Sequence, residues 1–172
     1  MIGPMSDTLT IRDAREADLA RIVAIYNEAI PGRQSTADTE PVSVESRRAW
    51  FHEHTPGRRP LWVAERGGAV VGWLSFQDFY GRPAYGATAE LSVYVSGAVR
   101  RAGVGRDLLA RAIAHAPTLG LATLVGFIFA HNTPSVTLFE RHGFTRWGHL
   151  PRVACLDGIE RDLLIVGLRV SG

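Results

Sequence analysis

The sequence predicts an α+β domain: one mixed, mostly antiparallel sheet flanked by helices, an arrangement some schemes class as three-layer α/β. Short apolar runs with two-residue alternation are interspersed with segments whose apolar residues recur every three or four positions. Two glycine-bearing turns, at Gly67-Gly68 and at Leu156-Asp157-Gly158, join neighbouring runs into hairpins and so impose antiparallel pairs. With 172 residues and 46% apolar composition, the chain has enough material for one core, so a single domain over 1–172 is expected, its core at about 8–170.

The elements follow in order. Leu9 to Asp13 reads as a strand. From Glu16 to Ile30, Leu19, Ile22, Val23, Tyr26 and Ile30 form the stripe of an amphipathic helix closed by Pro31 and Gly32. A polar segment, Arg33 to Val42, leads to Ser43, a good N-cap for a second helix ending near His54. Leu61–Glu65 and Ala69–Phe79 flank the first hairpin turn. The loop Tyr80–Gly86 returns the chain into a strand from Thr88 to Val95. A helix over about Gly105–His115 precedes Leu121–Phe129, an apolar run expected to be buried on both faces. Pro134–His142 reads as a short helix, and Phe144–Val153 with Glu160–Val170 as the last hairpin. The order is β-α-α-β-β-β-α-β-α-β-β.

Composition excludes several classes. Nineteen basic residues, all arginine, against seventeen acidic ones give +2, far from the basic stripe of a nucleic-acid binder. No apolar stretch approaches the roughly 18 residues that span a bilayer, and the first residues lack a signal-peptide pattern, so a cytoplasmic protein without membrane association is expected. The lone Cys155 allows no intrachain disulfide and reads as a small apolar filler. The six histidines show no metal-ligand spacing, and no metal is expected.

The most informative stretch is Arg100-Arg101-Ala102-Gly103-Val104-Gly105-Arg106, placed between a strand and a helix. Glycines there let backbone N–H groups converge on an anion, and the helix N-terminus adds its positive dipole. A dinucleotide fingerprint fails, because its third glycine would fall at Leu108 and no acidic residue lies in Thr123–Phe129. A Walker loop fails too, for the chain has no lysine.

What the stretch resembles is the pyrophosphate loop of the GNAT acetyltransferases, read here as Arg100-x-x-Gly103-x-Gly105. A second motif, Asn132-x-x-Ser135-x-x-Leu138-Phe139-Glu140-Arg141-His142-Gly143-Phe144, is similar to that family's later signature. The resemblance covers about Leu9 to Arg169 and implies the GNAT fold. Ser35–Pro41, Gly81–Tyr85 and Ala89–Val95 look like the phosphinothricin and methionine-sulfoximine/sulfone N-acetyltransferase branch, which acetylates the α-amine of small amino-acid analogues.

The resemblance implies acetyl-CoA as co-substrate, its pantetheine arm along Val93, Tyr94 and Val95 and its pyrophosphate at Arg100, Arg101, Ala102, Gly103, Val104, Gly105 and Arg106. Asn132 and Ser135 would contact the arm, while Asn132 equally suits a plain helix cap. Strand alternation puts Glu90, Ser92 and Tyr94 on one face and Ala89, Leu91, Val93 and Val95 on the other. Because an alkylamine is protonated at pH 7, a base must take its proton before attack on the thioester, and Glu90 is the candidate. A carboxylate paired with an arginine, or one that only binds the substrate ammonium, is the open alternative. Where many family members carry a tyrosine proposed to protonate the leaving thiolate, this chain has Phe139. Expected substrate contacts are Phe79, Arg82, Pro83, Ala84, Tyr85, Glu90, Leu91 and Ser92, with Thr36, Asp38 and Glu40 approaching from the polar segment. Arg82 suits a carboxylate or phosphinate. The resemblance also implies a homodimer. Acetylation of a protein or peptide amine, and a non-catalytic acyl-CoA-binding module, stand as the other readings.

Overall fold

A computed structural model describes residues 8–99 and 101–171. Seven strands form one sheet in the order β1-β2-β3-β4-β5-β7-β6: β1 (Thr10–Asp13), β2 (Leu61–Arg66), β3 (Ala69–Asp78), β4 (Thr88–Val95), β5 (Thr123–Phe129), β6 (Thr145–Leu156) and β7 (Ile159–Arg169). The pair β4–β5 is parallel and every other neighbour is antiparallel. Helices α1 (Leu19–Glu28) and α2 (Arg48–Glu53) cover one face, and α3 (Val104–His115) and α4 (Thr133–Arg141) the other.

Local chemistry sets the boundaries. Each hairpin turn holds two residues with positive φ, Gly67 and Gly68 (58° and 79°) and Asp157 and Gly158 (52° and 78°), the signature of a tight primed turn. Helix α1 stops at Glu28, short of the expected Ile30, because Ile30 precedes Pro31, whose ring disfavours helical backbone before it. The Ser43 hydroxyl accepts from the Ser46 N–H at 3.1 Å, so it does start the second helical segment, which opens as a 3-10 turn (Glu45–Arg47) before α2. Strand β6 runs three residues past the expected Val153, to Leu156. Its pairing slips between Leu150 and Ala154, and Arg152 adopts a φ of 52°. This irregular edge leaves Cys155 exposed, so it is not the buried filler its composition suggests.

One bulge fixes which side chains face which helices. Ala64 pairs with Gly72 and Glu65 with Val70, leaving Val71 without a partner, and the alternation of β3 flips there. Beyond it Leu74 and Phe76 join the larger core with Leu91, Leu108, Leu124, Val136 and Phe139, under α3 and α4. Trp73 joins the smaller core with Ile22, Ile25 and Val63, under α1 and α2. Gly72 itself faces α3: a Cβ there would lie 2.9 Å from Val104 Cγ1 and 3.1 Å from the Tyr94 carbonyl. The Gly72→Ala variant is therefore expected to lose about 1–3 kcal/mol of stability by overpacking, read as a lower urea midpoint at constant m value.

Candidate active site

The two central strands part soon after they meet. Strand β4 pairs with β5 only from Thr88 to Glu90, opposite Thr123 to Val125. Beyond Glu90 it stays with β3, while β5 pairs with β7 along its whole length. A cleft of about 450 Å³ opens between them. Its walls are Glu90–Tyr94 of β4, Phe127–Phe129 of β5, Asn132, Ser135 and Phe139 at α4, Val153 and Ala154 of β6, and residues 34–37 of the loop after α1. Along this edge β4 has no neighbouring strand, and extended backbone in that state needs outside partners.

Glu90 stands at the apex, where the strands separate. It is half-buried, and burial alone pushes its carboxyl above the usual glutamate value. No hydrogen bond or ion pair to it occurs among the described residues. It shares the α1–α2 face with Ser92 and Tyr94, while Ala89 and Leu91 pack in the larger core and Val93 and Val95 lie against it. Leu91 is 3% exposed, so what it offers the cleft is mainly strand backbone.

Asn132 is the N-cap of α4, its Oδ1 accepting from the Ser135 N–H at 3.3 Å. Its Nδ2 donates to Ser35 Oγ at 3.4 Å. The loop that carries Ser35 is strapped across the cleft mouth by further bonds. Tyr94 Oη donates to the Ser35 carbonyl at 2.8 Å, His131 Nε2 lies 2.7 Å from the Arg33 carbonyl, and Arg33 reaches Asp157 at 3.0 Å. Thr36 is buried and hydrogen-bonded to Tyr26, whose hydroxyl donates to Asp38; Asp38 also pairs with Arg47 at 3.1 Å. Glu40 is exposed and does not line the cleft. Phe139 lines it, its ring admitted by Gly126, where a Cβ would stand 3.0 Å from Phe139 Cε1.

At the far end of β4, Gly103 takes left-handed backbone (φ 80°) as N-cap of α3, and Arg101 is left-handed as well (φ 65°). The first bond of α3 runs from the Asp107 N–H to the Gly103 carbonyl at 3.0 Å, so the N–H groups of Val104, Gly105 and Arg106 are without helical acceptors. Gly105 has a packing role: a Cβ there would meet Leu138 Cδ2 at 3.3 Å and then Val95 and Val93. Ala102 and Arg106 belong to the same turn, with Arg101 and Arg106 exposed. Arg100 lies outside the described residues.

The remaining substrate candidates sit apart from the cleft. Arg82, Pro83 and Tyr85, with Phe79, Arg58 and Asp78, line a separate hollow of about 220 Å³, and Ala84 is exposed beside it. The link is aromatic, for Phe79 stacks on Phe127 of the cleft wall at 6.4 Å. Sequence reasoning missed the strap's ties through Ser35 and His131, and a second pocket under α1 and α2. A signal for that pocket existed: polar Ser75 and Gln77 alternate with Leu74 and Phe76 in a buried strand. Among the described residues no group of His, Cys, Asp and Glu could hold a metal.

A helix N-terminus at the end of a split sheet, with a carboxylate at the apex of the split, puts an open strand edge and an anion-binding turn at one cleft. Residues 20–144 match the model of the acetyltransferase (GNAT) family, and the chain belongs to that family. It is 52% identical to "Putative phosphinothricin acetyltransferase YwnH" of Bacillus subtilis, over 95% of this chain and 100% of that protein. It is 35% identical to the L-methionine sulfoximine/L-methionine sulfone acetyltransferase of Pseudomonas aeruginosa, over 94% of this chain and 95% of that one. The crystal structure of a phosphinothricin acetyltransferase from Sinorhizobium meliloti in complex with acetyl-CoA superposes with a TM-score of 0.89 at 28% identity, covering 95% and 89% of the two chains.

The state of Glu90 has a consequence for stability. A carboxyl raised by burial favours folding while protonated, so its contribution is present below the unfolded-state value and is lost as pH rises through the folded value. Glu90→Gln should therefore be more stable than the parent at neutral pH. The difference should vanish on acidification below the ordinary glutamate range, as urea melts at a series of pH values would show.

Proposed function

We propose that this enzyme transfers the acetyl group of acetyl-CoA directly to the amine of a small amino acid or analogue, of the phosphinothricin or methionine sulfoximine/sulfone type, with Glu90 accepting the proton. The observation that carries this is Glu90 itself, a half-buried carboxylate with no cation beside it among the described residues, at the point where a donor cleft and an acceptor face meet. Glu90 takes a proton from the ammonium, the neutral nitrogen attacks the thioester carbonyl to form the C–N bond, the C–S bond breaks to release CoA thiolate, and the second N–H proton leaves to solvent, which returns one to the thiolate. Raised basicity suits the carboxylate to that task.

The donor's placement follows from the cleft. Its extended amide arm would pair with the open edge of β4 at Val93–Val95, its diphosphate would meet the free N–H groups of Val104, Gly105 and Arg106 in the turn that also carries Arg100, Arg101, Ala102 and Gly103, and Asn132 and Ser135 would border the arm. A backbone N–H near Val93 would stabilise the oxyanion. Phe139 has no proton to give, so solvent or another hydroxyl protonates the thiolate. Arg82 would hold the acceptor's carboxylate or phosphinate, with Phe79 and Tyr85 as walls. We place the reaction in the cytoplasm; among the described residues no helix is long and apolar enough to cross a membrane.

The test is thiol release from acetyl-CoA over a panel of amino acids, phosphinothricin, methionine sulfone and a short peptide. Stimulation by the small amines is expected, and stimulation by the peptide alone would defeat this reading. Glu90→Gln should lower kcat by about 10²–10⁴-fold, leave acetyl-CoA affinity nearly unaltered and erase the acidic limb of the pH–rate profile. Retention of that limb would remove Glu90 from the base role.

We further propose that the enzyme works as a homodimer through β6. This edge strand is twelve residues long and exposes Trp147 (49%), Leu150 (40%) and Val153 (56%), with Ile159 (52%) next to it on β7. A long apolar edge is unusual in a monomer. Val153 also borders the cleft, so the partner would cover part of the site. Light scattering should give twice the chain mass, falling to one chain mass in the Trp147→Asp/Val153→Asp double variant.

A further inference from the structure

Beneath α1 and α2 lies a second pocket, of about 170 Å³, walled by Tyr26, Trp50, Trp73 and Tyr94. It shares Ser92 and Tyr94 with the cleft, so one stretch of β4 borders both. Its floor is the sheet face on which Ser75 pairs across the strands with Ser92, and Gln77 with Glu90. These four polar side chains form a block on two central strands. Ser75 is 1% exposed, and its Oγ is buried without a hydrogen-bond partner among the described residues. A hydroxyl left so carries the full cost of desolvation unless a ligand completes it.

Size and charge narrow what enters. Pockets for whole ligands run from roughly 300 Å³ upward, so this one holds part of a molecule. Arg47 at its rim is already matched by Asp38 and lies over the Tyr26 ring, which leaves no free charge in the wall. Aromatic walls with hydroxyl and amide groups on the floor therefore suit a slim, neutral chain with a hydrogen-bonding end. Glu90 is two residues from Ser92 along the strand, about 7 Å away, which is the reach of such a chain.

We propose that this pocket receives the side chain of the acceptor, with the reacting amine at Glu90 and the end of the side chain at the Ser75 hydroxyl. The assignment rests on the amine acetylation set out above and adds its specificity determinant. Unbranched, uncharged side chains such as those of norleucine, methionine, glutamine and methionine sulfone fit; charged or bulky aromatic ones do not, so among the acceptors proposed above the pocket selects the methionine sulfone type over phosphinothricin, whose side chain ends in an anionic phosphinate.

The experiment compares kcat/KM for alanine, norleucine, glutamine, methionine sulfone and phenylalanine in the parent enzyme and in Ser75→Leu, Ser75→Ala and Trp50→Ala. Ser75→Leu fills the pocket and should lower the norleucine-to-alanine ratio by about tenfold or more, the size of effect one to two methylenes have in an apolar site. Ser75→Ala should lower the ratio of methionine sulfone to norleucine, and Trp50→Ala should raise that of phenylalanine to norleucine. Tryptophan fluorescence of the CoA complex, titrated with norleucine, should respond in the parent and lose its response in Ser75→Leu. Because Trp50 is only half-buried, its variant keeps the test open if Ser75→Leu fails to fold. Turnover with all ratios unchanged in the folded variants would overturn the pocket assignment alone, whereas absence of acetylation with every amine would overturn the function on which it rests.

Discussion

The short parallel contact between β4 and β5 is the constraint on which the site depends. Three residue pairs, Thr88–Glu90 with Thr123–Val125, hold the two halves of the sheet together. Beyond Glu90 the two strands diverge, β4 staying with β3 up to Val95 and β5 with β7 up to Phe129. The consequence is a gap in the middle of a well-packed sheet. Backbone N–H and C=O groups line one side of it, and an extended donor with amide groups of its own can satisfy them as an added strand would.

The gap persists because the helices on either side are pressed hard against the sheet at small residues. Gly72 admits Val104, Gly105 admits Leu138 and the two valines of β4, and Gly126 admits Phe139. Any Cβ at these points would push α3 or α4 away from the strands that flank the cleft. Of the Gly103-x-Gly105 pair, Gly105 inside α3 thus serves packing, and Gly103 at its N-cap serves backbone conformation, with φ of 80°. Close seating of α3 is what aims its free N–H groups at the end of the gap.

Local signals made most of this fold legible in the sequence. Gly67-Gly68 and Asp157-Gly158 specify hairpins because only a few residues tolerate the left-handed backbone these turns need, and Asn132 before Thr133-Pro134 specifies a cap for equally local reasons. Alternation on β4 correctly separated Glu90, Ser92 and Tyr94 from Leu91 and Val93. What stayed hidden depends on contacts far apart in the chain. The pocket under α1 and α2 draws Trp50 from a six-residue helix and Trp73 from a strand whose phase flips at the Val71 bulge, and no window of sequence contains both facts. Cys155 was misjudged because burial of an edge residue is decided by the irregular register of β6 and not by its own chemistry.

Among the described residues no cation stands beside Glu90, and that bears on its role more than its position does. Nineteen arginines are available, and they pair with carboxylates throughout the molecule: Arg12 with Asp18 and Glu65, Arg33 with Asp157, Arg47 with Asp38, Arg58 and Arg59 with Asp78. A cation at Glu90 would stabilise the ionised carboxylate and make it a weaker base. Its cross-strand neighbour is instead the neutral Gln77, and burial works in the opposite direction, favouring the protonated form. Burial of the ionised carboxylate costs folding stability. A structural carboxylate would gain from an arginine partner; a carboxylate that must take up a proton from an incoming ammonium loses by one.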